Sequence, residues 1–158
     1  MNTLSYKWIT RQGEIKNGIV VIHERKYIDF LVDDQPVKGL FGDEYSDKIT
    51  MLGWTEYRTD DELVIEEFLK QGAPSLKSGR TVIYCCPECG DLGCGAITTE
   101  VVETKDKFIW KDFAYENENE RNALENSKQI TQFEFDKQQY ISEFAKISQE
   151  ITNTSREY

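Results

Sequence analysis

All four cysteines of the chain fall within ten consecutive positions, Cys85 to Cys94, in the stretch CCPECGDLGC. Cys86-Pro87-Glu88-Cys89-Gly90 has the local form of a metal knuckle. Proline and glycine bend such a segment so that two sulfurs, together with some amide N–H groups, face one point. Cys94 offers a third thiolate a few residues further on. A closed structural zinc site takes four ligands, usually from two such pairs, and no second CxxC follows here. Cys85 and Cys86 are adjacent on what reads as an extended segment, so their side chains point to opposite faces and are not expected to share one ion. That leaves His23, the single histidine, as a sequence-distant fourth candidate.

Two other chemistries compete for the same residues. A CxxC dithiol active in redox exchange relies on a helix beginning directly after its first cysteine, which lowers the thiol pKa. Here Gly90-Asp91-Leu92-Gly93-Cys94-Gly95 follows, a poor helix. The plainest reading makes the glycines a tight connection between strands and the cysteines small apolar fillers beneath it. Filler weighs most, a metal site at Cys86, Cys89 and Cys94 stands second, and redox chemistry third. His23 beside a strand reads as a surface or packing residue rather than a base. No nucleophile elbow or P-loop occurs, and Gly90-x-x-Gly93-x-Gly95 precedes a strand rather than the helix a dinucleotide loop requires. The residues therefore name no catalytic group, and the expectation is a protein that is not an enzyme, with no cofactor unless zinc occupies the cysteines.

Charge points elsewhere. The chain carries 29 acids and 19 bases, a net charge of -10 with pI ≈ 4.7. Residues 29–67 hold 12 of the acids against three bases. Nucleic-acid affinity comes largely from cations displacing counterions, so a nucleic-acid partner is not expected. A dense acidic surface instead suits a cationic protein, whose encounter it would steer. The candidate face comprises Asp33, Asp34, Asp43, Glu44, Asp47, Asp60 and Asp61, with Glu116, Glu118 and Glu120 as a second patch. Solubility of an acidic protein explains such patches almost as well.

The elements that must position these residues follow from spacing. Residues 4–10, 19–22 and 27–32 read as strands, the last two joined through Glu24-Arg25-Lys26 as a hairpin, with 19–22 taken as buried. Asp33-Asp34-Gln35-Pro36 is turn chemistry, residues 39–50 an acidic loop, and Met51, Leu52 and Trp54 part of a short strand. Thr59-Asp60-Asp61-Glu62 reads as a capping box opening a helix over about 59–71, with a stripe of Leu63, Val64, Phe68 and Leu69 and a stop at Gly72 before Pro74. Arg80 to Cys85 is a strand running into the cysteines. Residues 96–103 and 107–115 form a hairpin, 116–129 an exposed loop or weak helix, and 130–135 a last strand. Asp136 with Gln139 opens a second helix, about 137–151, whose stripe is Tyr140, Phe144, Ile147 and Ile151. Trp8, Trp54 and Trp110 are expected in the core or at an interface. Hairpin order without strand–helix alternation predicts an α+β fold, an antiparallel sheet with two packed helices, in a single domain over 1–158. No run of about 18 apolar residues occurs, and the N-terminus lacks a signal-peptide layout. A cytoplasmic setting with reduced thiols is the expectation.

CPECGDLGCGAITTEV, followed by Phe108-Ile109-Trp110-Lys111-Asp112-Phe113-Ala114-Tyr115-Glu116, resembles an uncharacterised family of small bacterial proteins with a CPxCGDLGCGA…W.DF.YE signature. Its members sometimes carry an automatic oxidoreductase label, which these residues do not support. The match spans about residues 84–116. In type rather than motif, the chain also resembles immunity proteins of polymorphic or contact-dependent bacterial toxins. That second resemblance implies an antitoxin that neutralises a nuclease-type, cationic toxin by protein binding. The alternative is a small zinc-binding or thiol-redox protein built on Cys85–Cys94.

Overall fold

A computed structural model describes residues 1–55, 58–124 and 132–154. The chain is α+β. Its strands are β1 (Leu4–Arg11), β2 (Glu14–Lys16), β3 (Ile19–Ile22), β4 (Arg25–Val32), β5 (Gln35–Pro36), β6 (Thr81–Tyr84), β7 (Ala96–Glu103), β8 (Lys107–Glu116), β9 (Arg121–Ala123) and β10 (Gln132–Asp136). Its helices are α1 (Arg58–Phe68) and α2 (Lys137–Asn153), with short 3-10 helices at Val37–Leu40, Asp43–Tyr45 and Leu92–Cys94. One antiparallel sheet runs β10-β8-β7-β6 with β9 on β8. A second runs β1-β4-β5, and among the described residues β2 pairs only with β3.

The larger sheet is built by local rules. Thr104 closes the β7–β8 turn, its N–H donating to Lys107 O at 2.9 Å while its Oγ1 accepts from Lys107 N at 3.0 Å. A bulge between Thr98 and Glu100 puts Asp112 at φ 53. The guanidinium of Arg80, only 8% exposed, donates to Thr98 Oγ1 at 3.0 Å and to the Asp112 carbonyl. Asp136 caps α2, its carboxylate accepting from Gln139 N at 3.0 Å, and Tyr140, Phe144, Ile147 and Ile151 are all buried. These residues meet Phe30, Phe68, Trp110 and Phe135 in an aromatic cluster spanning both larger sheets and both helices. Trp110 Nε1 donates to Tyr140 Oη at 2.9 Å, and Tyr140 in turn donates to Phe68 O at 2.8 Å.

Several expectations are corrected. β3 is exposed rather than buried: Ile19 is 66% accessible. It forms no hairpin with β4. The ribbon β2–β3 closes on itself at Asn17 (φ 54) and Gly18 (φ 76), while β4 pairs back with β1 over eight residues. A type I′ turn of that chemistry matches strand twist, so the ribbon is an excursion from the β1–β4 hairpin. Met51 and Leu52 lie in a bend and Trp54 in irregular backbone, not a strand. Helix α1 starts at Arg58, placing Thr59 inside its first turn. Its buried residues are Asp61, Ile65 and Phe68, whereas Leu63 is 60% exposed. The helix face is rotated because the Asp61 carboxylate turns inward to accept Gly53 N at 2.9 Å. The helix ends earlier, with Lys70 at φ 57 and Gln71 N donating to Glu66 O at 2.9 Å. Lys70, not Gly72, occupies the left-handed position that glycine usually fills. Part of the loop over 116–129 is strand β9, and residues 125–131 lie outside the described ones. Trp110 is wholly buried, as expected, but Trp8 and Trp54 pack half-exposed at the margins.

Candidate metal centre

The cysteines form the connection between β6 and β7. At the end of β6, Cys85 is pinned to Ile49 by two backbone hydrogen bonds, and its side chain enters a small apolar cluster with Val82, Ala96, Met51 and Trp54. Its Sγ lies 3.1 Å from Met51 Sδ. Burial pushes the Cys85 thiol up to about 12, so it stays protonated and inert near neutrality. Cys86 faces the other way, and its sulfur joins those of Cys89 and Cys94, all three within 4.8 Å of one another. Both neighbours are exposed and Cys86 is half-buried.

Backbone geometry makes this convergence. Gly90 N donates to Cys86 O at 2.9 Å and Gly90 adopts φ 67, closing the knuckle. Asp91 N donates to Cys89 Sγ at 3.3 Å. The carboxylate of Asp91 accepts Gly93 N at 2.9 Å, and its carbonyl accepts Cys94 N at 3.2 Å, which folds the 3-10 turn that returns Cys94 to the pair. At Gly95, φ is 85 and a Cβ would collide with the ring of Tyr115, so no other residue fits the exit.

The electrostatics favour thiolates held by a cation. Partial burial opposes ionisation of Cys86. The amide N–H groups of Cys89 and Glu88 and the neighbouring thiols outweigh it and hold the Cys86 thiol below its ordinary range. Its negative charge then acts on Cys94. With the Cys89 thiol, the nearest partner, foremost, Cys94 is pushed up to about 11. A second and third proton leave such a cluster readily only when a metal ion takes their place. The sulfurs of Cys89 and Cys94 are 3.4 Å apart, close to the separation of about 3.8 Å that tetrahedral zinc with bonds of ~2.3 Å sets between two ligands. Lys48 donates to the carbonyl of Gly95 at 3.1 Å, and Arg25 to those of Pro87 at 2.8 Å and Glu88 at 3.2 Å. Cationic heads thus sit on the backbone of both halves of the site.

His23 is not part of this group. Its Nδ1 lies 2.5 Å from Glu88 Oε2, and its N–H donates to Glu88 Oε1 at 3.2 Å. Arg11 Nη1 donates to the same oxygen at 2.9 Å and to His23 O at 2.7 Å, while Arg11 Nε pairs with Asp47 at 3.0 Å. Glu88 is held well below the usual carboxylate range, at about 2, by His23 first and Arg11 next. Among the described residues, no histidine, cysteine or carboxylate joins the three sulfurs as a fourth member.

The acidic residues are dispersed in their duties. Asp33 accepts Asn2 Nδ2 at 2.7 Å and Thr3 N at 2.8 Å, and Asp47 pairs with Arg11. Asp61 is 1% exposed within the protein. Asp60 is half-buried in the first turn of α1, and Glu116 accepts Ser78 Oγ at 3.2 Å. Asp34, Asp43, Glu44, Glu118 and Glu120 remain exposed. Sequence reasoning missed the role of Arg11, Arg25 and Glu88 at the knuckle, for which no local spacing gives a signal. It also missed a buried polar group around Asp29, whose Oδ1 accepts Tyr84 Oη at 2.8 Å.

Fold and site together define the class: an α+β protein with a three-cysteine candidate metal centre on a strand connection. Compared with protein-family models, curated proteins and solved structures, the chain matches none. No helix among the described residues is long and apolar enough to cross a membrane.

Proposed function

We propose that this protein is a small zinc-binding protein, with the thiolates of Cys86, Cys89 and Cys94 as its ligands. One observation carries the reading: three sulfurs from one short connection converge within 4.8 Å, with amide N–H groups directed at two of them. Thiolate ligands select zinc among the common divalent ions of hard and soft character. Bound there, zinc would act as a cross-link across the β6–β7 connection and leave a fourth position for solvent or an exogenous ligand. Protein purified without chelator should carry one zinc per chain by elemental analysis. Cobalt(II) should give intense thiolate-to-metal absorption. Both signals should vanish in a Cys86→Ser, Cys89→Ser double variant. Metal-free protein that takes up neither ion would reject the reading.

A second reading keeps the acidic surface: an immunity protein that neutralises a cationic toxin. Exposed Asp34, Asp43, Glu44, Glu118 and Glu120 support it, since none forms a salt bridge with another of the described residues. Its test is capture of a basic protein from the native host through a salt-sensitive complex that weakens when these five are neutralised.

A further inference from the structure

The ribbon Glu14–Ile22 leaves the body at the end of β1 and rejoins it at the start of β4. Among the described residues, β2 and β3 pair with each other and with no other strand, every residue but Ile22 is exposed over both strands, and the turn between them is Asn17-Gly18. Ile15, Ile19, Val20 and Val21 present 69%, 66%, 47% and 46% of their surface to solvent. A lone two-stranded ribbon is marginal in water, so its pose depends on how its base is held.

That base is held by the cysteine knuckle. Arg11 ends β1 just before the ribbon, and His23 and Arg25 follow directly after it. All three reach the dipeptide Pro87-Glu88, which lies between the first two candidate ligands. The Glu88 carboxylate takes His23 N, His23 Nδ1 and Arg11 Nη1 at 3.2, 2.5 and 2.9 Å. Arg25 takes the Pro87 and Glu88 carbonyls and stacks on Trp54 at 4.7 Å. Above this clamp the two legs cross so closely that a Cβ on Gly13 would lie 2.9 Å from Glu24 N.

We infer that metal at Cys86, Cys89 and Cys94 sets the pose of the exposed apolar ribbon, and that Glu88 is the residue coupling the two. The inference rests on the metal reading above. Glu88 is adjacent to one ligand and two residues from another, so fixing both sulfurs to one ion fixes the carboxylate that grips both legs. Without metal, backbone turns and weak N–H···S contacts hold the knuckle but nothing ties its three sulfurs to one point, and the clamp loosens with it. Glu88 is a positioning residue: it holds no metal itself.

The test is hydrogen–deuterium exchange by mass spectrometry on the full chain, with and without one equivalent of zinc. In the wild type, zinc should slow exchange across residues 13–23 by about tenfold while α2 peptides change little. Glu88→Gln should still bind one zinc, with affinity within about threefold, yet show the same ribbon exchange in both states. Arg11→Gln breaks the clamp from the other side and should behave likewise, which covers the case of an unfolded Glu88 variant. Zinc uptake by the wild type without change at 13–23 would overturn the inference and leave the metal reading standing. Zinc-dependent ribbon protection surviving in both variants would also overturn it. Failure to bind zinc at all would overturn both.

Discussion

The sulfurs of Cys89 and Cys94 lie 3.4 Å apart, brought together by the turn over Asp91. Thiols this close cannot all ionise without a cation, and the three-cysteine group therefore has an order of reactivity. In metal-free protein near neutral pH, iodoacetamide should label Cys86 ahead of Cys94, because the first is held below the ordinary thiol range and the second lies at about 11. Cys85, at about 12 and buried, should react only after unfolding. One equivalent of zinc should protect the cluster. Peptide mapping of the alkylated protein checks each statement, and early labelling of Cys94 would contradict the geometry.

Tyr140 joins Trp110 and Phe68 through one hydroxyl. Tyr140→Phe removes that oxygen from a site with 0% exposure, leaving an indole N–H without its acceptor and a carbonyl without its donor. Each buried unsatisfied group costs about 1–3 kcal/mol, so for the two groups a loss of roughly 2–6 kcal/mol is expected. Urea unfolding monitored by tryptophan fluorescence measures it, and a loss below about 1 kcal/mol would contradict the role.

Lys70 terminates α1 with φ 57. Glycine adopts this conformation without a Cβ penalty, so Lys70→Gly should stabilise the fold by about 0.5–1 kcal/mol despite the greater freedom it gives the unfolded chain. Thermal melts of the two proteins decide the sign.

Asp29 titrates against the folded state. Burial raises its pKa, while Tyr84, Lys38, the Phe30 amide and Lys7 pull it back only in part. A carboxyl raised above its unfolded value contributes stability below that unfolded value and loses it as pH rises through the folded one. The window therefore opens in the ordinary carboxylate range, about pH 4, and extends upward. Asp29→Asn should remove this contribution: the stability difference, wild type minus variant, should fall as pH rises from about 4 toward neutrality. Denaturant melts at several pH values give the slope, and a flat or rising difference would rule out the assignment.

Much of the structure is legible in short spans of sequence. Asp136 with Gln139 and the spacing of Tyr140, Phe144, Ile147 and Ile151 define α2, its cap and its buried face, because covalent helix geometry repeats every few residues. The same holds for the β7–β8 hairpin around Thr104, and for the opposed directions of Cys85 and Cys86. Pro87 and Gly90 likewise announce a knuckle. What a linear reading misses depends on partners far along the chain. The phase of α1 is set by Asp61 reaching Gly53, and the exposure of Ile19–Ile22 by β1 pairing with β4 around them. The role of Glu88 comes from Arg11 and His23, 77 and 65 positions away. Local spacing fixes direction and periodicity, whereas loop closure across such separations decides which surfaces are buried and which charges meet. Sequence alone placed three sulfurs on one local bend; only tertiary packing tied that bend, through Glu88, Arg11 and His23, to an exposed ribbon.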